Sequence, residues 1–94
     1  MTQRVYKYYP RPDVSEIEMP KDAAVLSVAM KDDVVTLWAL VEPEAPKEMR
    51  KFLVVETDEP IGDFDNLDLV LGFVGTVISR DGYVLHVFDM GPCE

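Results

Sequence analysis

The sequence is poor in the residues that most often carry chemistry. It has one cysteine, Cys93, and one histidine, His86, in 94 residues. A single thiol excludes an intramolecular disulfide and a cysteine-based zinc site, and a single imidazole excludes a multi-histidine metal centre. The five glycines stand apart, at positions 62, 72, 75, 82 and 91, so no glycine-rich loop is available to cradle a phosphate. Ser15, Ser27 and Ser79 lack the Gly-x-Ser-x-Gly setting of a hydrolase nucleophile. Long apolar runs are missing too. The longest, Leu69 to Ile78, is interrupted by Gly72, Gly75 and Thr76 and is about half of what a membrane-spanning helix needs. The opening stretch from Met1 to Pro10 mixes charges with tyrosines, where a secretory signal needs a continuous apolar segment. These absences imply a chain with no membrane span that works in the cytoplasm, a reducing compartment in which a free thiol is ordinary.

Positive charge is the other scarce commodity. Nine Lys and Arg face eighteen Asp and Glu, for a net charge of −9. Direct binding of nucleic acid is thereby disfavoured, because Lys and Arg supply most of the affinity for phosphate. The imbalance is also one-sided. Residues 1–51 sum to −1, whereas residues 52–94 hold nine acids against Arg80 alone and sum to −8. Between Lys51 and Arg80 come Glu56, Asp58, Glu59, Asp63, Asp65 and Asp68, with no base among them. Carboxylates crowded in this way repel one another and attract basic partners. The same acids also serve solubility and guard sheet edges.

What is present is globular: 48% of the residues are apolar and 10% aromatic, enough for one domain, residues 1–94, with one modest core. The apolar residues mostly alternate, the period of a strand with one face buried. Val5, Lys7 and Tyr9 lie on one side of a first strand, with Tyr6 and Tyr8 on the other. Glu16 to Met19 reads as a short second strand with its acids outward, ended by Pro20. The runs Val25–Met30 and Val34–Val41 flank Lys31-Asp32-Asp33, a hairpin pattern. Glu42 to Glu48 is a loop with two prolines, and a single helical turn could follow Pro46. Phe52–Val55 is the next strand, and Thr57–Asp68 an exposed acidic loop. Leu69–Ser79 and Tyr83–Asp89 read as the last two strands, joined through Arg80-Asp81-Gly82. Gly72 and Gly75 inside the first of them predict a bulge or bend. The expected fold is all-β, with six or seven short strands in a curled antiparallel sheet, a small barrel or a sandwich.

The single residues give little that is catalytic. His86 shares a strand face with Val84 and Phe88 and reads first as a partly buried histidine hydrogen-bonded to a neighbour, since acid–base work needs an orienting partner as well. Cys93 reads as a thiol at a frayed end. Asp63-Phe64-Asp65-Asn66-Leu67-Asp68 resembles the start of a calcium loop, but Asp68 occupies the place of the turn glycine and Val74 that of the bidentate glutamate. No metal site and no cofactor are expected. Trp38, in mid-strand, reads as core. The tyrosines of the first strand, Tyr6, Tyr8 and Tyr9, occupy both of its faces, so at least one ring meets solvent, where it favours an interface.

Several segments together resemble a small uncharacterised domain family associated with bacteriophage and prophage genomes. They are Arg4-Val5-Tyr6-Lys7-Tyr8, Ile17-Glu18-Met19-Pro20, Val25-Leu26-Ser27-Val28, Leu37-Trp38-Ala39-Leu40-Val41-Glu42-Pro43, Arg50-Lys51-Phe52, Phe73-Val74-Gly75-Thr76-Val77 and Val84-Leu85-His86-Val87-Phe88. The resemblance spans nearly the whole chain and implies a compact β domain of phage origin, with no catalytic residue to carry over. It departs at Glu56-Thr57-Asp58-Glu59-Pro60, where the family pattern has a glycine- and histidine-containing stretch.

The reading that combines origin and charge is a non-enzymatic inhibitor of a host defence system, of the anti-CRISPR or anti-restriction type. Its partner is a host protein with a basic groove built for nucleic acid. The contact set is Glu56, Asp58, Glu59, Asp63, Asp65 and Asp68, with Tyr6 and Tyr8 as anchors. A homodimer through the tyrosine-rich first strand is the expected self-association. The alternative is a small-molecule or nucleotide-binding β-barrel in which Arg4, Arg50, Lys51 and Arg80 cluster after folding.

Overall fold

The computed structural model describes residues 2–93. Seven strands and one short helix follow one another as β1 (Arg4–Tyr8), β2 (Val14–Pro20), β3 (Ala24–Lys31), β4 (Val34–Val41), β5 (Lys47–Glu56), α1 (Asn66–Gly72), β6 (Phe73–Ile78) and β7 (Val84–Pro92). The strands form two antiparallel sheets, one in the order β1-β4-β3 and the other in the order β2-β5-β7-β6. All-β is therefore the architecture. The sheets remain unclosed, because no hydrogen-bonded ladder joins them among the described residues.

Period-two alternation does what it predicts in the central strands. Along β4, Val35, Leu37, Ala39 and Val41 are buried between the sheets. Phe52 and Val54 of β5, Met19 of β2 and Val87 of β7 face them, completing two adjoining apolar clusters. Glu16 and Glu18 point outward from β2, and Ile17 and Met19 inward. The β3–β4 hairpin closes through Asp32 and Asp33, both at positive φ (51° and 61°), the geometry of a type I′ turn, which aspartate tolerates better than most residues. The β6–β7 connection carries Gly82 at φ 89°, as the Asp-Gly pair predicts. A register irregularity between Phe73 and Gly75 supplies the expected bulge.

Four expectations need correction. Leu69–Gly72 is helical rather than the start of a strand, which begins only at Phe73. The cause is local: Asp65 caps the turn, its carboxylate accepting from Leu67 N and Asp68 N, and the capped donors favour helix over extension. Pro46 is followed by no helical turn; β5 instead starts at Lys47, well before Phe52, because β2 pairs with it from Pro20↔Lys47 onward. Trp38 is half-buried on the outer face of its sheet, since the core uses the other parity, Leu37 and Ala39. Cys93 is not frayed, for its backbone N–H donates to Met49 O at 2.8 Å.

One buried charge sits in the interior. Arg50 donates from Nε and Nη2 to the two carboxylate oxygens of Asp89 (3.1 and 3.0 Å) and from Nη2 to Ala23 O (2.7 Å). This fork satisfies a guanidinium that would otherwise be costly to bury. It also links β5, β7 and the turn before β3.

Both β5 and β6 are antiparallel to β7, which lies between them. They are therefore parallel to each other, and residues 57–72 must cross over β7 to connect them. Within this crossover α1 lies beside β7. Leu53 and Val55 alternate with the core residues Phe52 and Val54 and are nevertheless only 3% and 4% exposed. At the near end, Thr57 meets His86. At the far end Gly72 lies so close to β7 that a Cβ there would collide with the carbonyl of Asp89.

Candidate functional site

The crossover is where the unusual surface lies. Helix α1 has seven residues and buries none of them. Leu67, Val70 and Leu71 stand at the i, i+3, i+4 spacing that puts side chains on one face of a helix. That face is turned to solvent: the three residues are 63%, 72% and 75% exposed. Leu69, off the stripe, is the half-buried leucine of the helix. Phe73 extends the apolar surface beyond α1 and is held by an edge-to-face contact with Phe88, centroids 5.5 Å apart. Leu26, exposed at the β3 bulge, lines the same hollow as Leu71 and Phe73.

Carboxylates border this stripe. Asp63, Asp65 and Asp68 are all exposed. Among the described residues, the ion pairs are Arg50–Asp89 and Arg50–Glu48, so none of the six acids from Glu56 to Asp68 is neutralised by a Lys or Arg. Asp65 is partly occupied by its capping bonds to Leu67 N and Asp68 N, at 2.8 and 3.3 Å.

The six acids do not form one group around a single feature. Asp63, Asp65 and Asp68 belong to α1 and its approach. Asp58 sits just past β5 in a turn at φ 75°. Glu56 and Glu59 are joined locally, Glu59 Oε1 accepting from Glu56 N at 2.8 Å, and both line the mouth of a cleft between the two sheets. Tyr6 and Tyr8 stand apart from all of them on β1, the edge strand farthest from β3 in its sheet. Tyr8 packs against the core, and burial, reinforced by Tyr6 beside it, pushes its hydroxyl above the usual pKa of 10.0. Tyr6 remains exposed at the sheet edge.

The remaining candidates are spoken for. His86 projects from the outer face of β7, with Thr57 Oγ1 at 2.6 Å from Nε2 and Thr76 Oγ1 at 3.0 Å from Nδ1. Two hydroxyls thus serve both ring nitrogens, as the reading of a strand histidine bonded to its neighbours expects. The Cys93 thiol is held above its ordinary value by burial and by the Glu16 carboxylate beside it, the reverse of what a reactive thiolate needs. The four bases of the ligand-binding alternative fall on β1, β5 and the β6–β7 turn. Arg50 is committed to Asp89, Arg4 opposes Val41 in the β1–β4 ladder, Lys51 opposes Glu16 in the β2–β5 ladder, and Arg80 lies in the β6–β7 turn.

Sequence reasoning missed Leu67, Val70 and Leu71. The signal was there: an N-cap residue, Asp65, followed by apolar residues at helical spacing. It was masked because Leu67, Leu69 and Leu71 also alternate as a strand would.

No described helix is long and apolar enough to cross a membrane, and no group of His, Cys, Asp and Glu that could hold a metal ion occurs among the described residues. Comparison with curated proteins and with solved structures finds no match. Comparison with family models does: residues 1–92, which carry both sheets and the crossover, match a domain of unknown function (DUF7352), and the chain belongs to that family.

Proposed function

We propose that this protein is a non-enzymatic interaction module whose crossover segment binds a protein surface that is apolar at its centre and basic around it. The observation that carries this reading is the outward apolar stripe of α1, Leu67, Val70 and Leu71, set beside exposed, unneutralised aspartates. A helix of two turns gains almost nothing from its own hydrogen bonds, and one that leaves its apolar face in water forgoes the burial that normally stabilises such an element. Contiguous exposed apolar surface with a polar rim is characteristic of an interaction site. The charge of the rim selects the partner: Asp63, Asp65 and Asp68 favour Lys and Arg and disfavour a second copy of this acidic chain.

In its narrower form the partner is a host defence protein whose basic groove otherwise holds nucleic acid, and the protein is phage-encoded, as the segment resemblance implies. The anionic rim then occupies positions made for phosphates. Glu56, Asp58 and Glu59, at the start of the crossover, extend the acidic surface away from α1, while Tyr6 and Tyr8 belong to a different edge and drop out of the contact.

The test compares retention of host proteins on immobilised wild type, on Val70→Ser/Leu71→Ser and on Asp63→Asn/Asp68→Asn, each at low and high salt. A partner retained by wild type at low salt, released at high salt and lost by both variants supports the reading. A partner held equally by all three, or at every salt concentration, overturns it.

A further inference from the structure

A second concave feature shares no residue with α1. Where the β3–β4 and β6–β7 turns meet, residues of both sheets line a cleft of about 580 Å³. Its floor consists of inward-facing side chains of both sheets, Met30 and Val35 from one and Leu85 from the other, laid over the fully buried Val54. Its mouth carries four carboxylates, Asp13, Asp33, Glu56 and Glu59, against one cation, Arg11, and the exposed ring of Tyr83.

The walls are tied together without being drawn shut. Val54 N donates to Asp13 O (2.8 Å), which fixes the Pro10–Asp13 wall to β5. Arg80 N donates to Asp33 Oδ1 (2.8 Å), which joins the two turns across the gap between the sheets. Ser79 N donates to Tyr83 O (2.8 Å) and Tyr83 N to Ser79 Oγ (3.0 Å), setting the turn from which the tyrosine extends. Asp33 and Glu59 each accept through one carboxylate oxygen, Oδ1 and Oε1, and leave the other to a ligand.

Apolar walls of this size suit a small organic molecule. The mouth decides its charge. Carboxylates outnumbering cations four to one repel phosphate and carboxylate ligands, which removes nucleotides from consideration at this site. An aromatic face among carboxylates is the setting in which an ammonium ion is bound, by cation–π attraction and by charge. We infer that the cleft between the sheets binds an organic ammonium ion, its apolar body on Met30, Val35 and Leu85 and its cationic head between Tyr83 and the rim carboxylates.

The test titrates the ¹⁵N-labelled protein with a homologous series of alkyltrimethylammonium ions below their micelle concentrations, and in parallel with fatty carboxylates of matching chain length. Ammonium binding should shift the amide resonances of Val35, Val54 and Tyr83, with affinity rising about threefold to fourfold per methylene. Replacing Tyr83 by Leu should weaken binding about threefold, and Glu56→Gln with Asp13→Asn should weaken it by a similar factor, about threefold. Equal binding of ammonium and carboxylate, no binding of either, or shifts confined to Leu67–Leu71 overturn the assignment. Glu56 and Glu59 belong to both readings, but Val35, Val54 and Tyr83 belong to the cleft alone, so failure here leaves the partner-binding test on Val70, Leu71, Asp63 and Asp68 standing, and the reverse.

Discussion

Among single residues, Arg50 is the one whose removal is most consequential. Its guanidinium is buried, and it is stabilised chiefly because Asp89 accepts two of its hydrogen bonds and Ala23 O a third, with the Glu48 carboxylate at 3.9 Å adding a longer ion pair. Taking away one partner leaves the other as an uncompensated charge out of water, which is where a loss of about 3 kcal/mol comes from. Asp89→Ala and Arg50→Ala should each lower the free energy of unfolding by about that amount in urea titration. Arg50→Met, paired with Asp89→Leu, should recover much of the loss because no charge is then left alone. If the double variant is no better than the singles, the pair is not acting as a pair. Little of this was legible in the sequence. Arg50 and Asp89 are 39 positions apart, and composition marks them only as two charges among many. Their pairing follows from β5 lying beside β7, a neighbour relation that alternation does not encode.

At the scale of elements, legibility tracks how local the determining physics is. Hairpins were readable because Asp32-Asp33 and Asp81-Gly82 sit between alternating runs and their backbone preferences act within a few residues. The parity of β4 is where alternation misleads, and Trp38 shows the cost: a large aromatic on the outer face reads as core until the partner sheet is seen to cover Leu37 and Ala39. The helix Asn66–Gly72 escapes the sequence reading, which ends the acidic loop at Asp68 and opens a strand at Leu69, because Leu67, Leu69 and Leu71 satisfy both periods at once and a single capping side chain decides between them. Asp65→Ala should therefore destabilise α1 locally by about 1 kcal/mol. Hydrogen exchange at Leu67–Leu71 should speed up while the β5 and β7 amides stay protected, because α1 buries no residue of its own. Equal acceleration throughout both sheets would show that the helix supports the fold instead of being carried by it. The acidic loop, by contrast, was read as exposed and is exposed; what the sequence did not show is that it divides between α1 and the mouth of the inter-sheet cleft.

For the molecule as a whole, net charge sets a measurable tension. A chain of charge −9, whose ion pairs among the described residues all involve Arg50, is held compact against its own repulsion and has few attractive pairs for salt to weaken. Screening shortens from about 30 Å at 0.01 M salt to about 8 Å at 0.15 M. Moving between these conditions with sodium chloride should stabilise the fold by about 1 kcal/mol, a rise in Tm of about 4–8 °C. A Tm that falls would mean attractive pairs outweigh the repulsion. The order of strands has a further consequence, for synthesis. β7 runs between β5 and β6, although both precede it, so the nascent chain must keep a vacancy in the middle of this sheet until residues 84–92 have left the ribosome. Until then the β7-facing edge of β5 offers its donors and acceptors to any other extended chain. The sheet can only be completed from its centre, by the strand that arrives last, and translation stalled before Val84 yields a sticky half-sheet in place of a smaller stable domain.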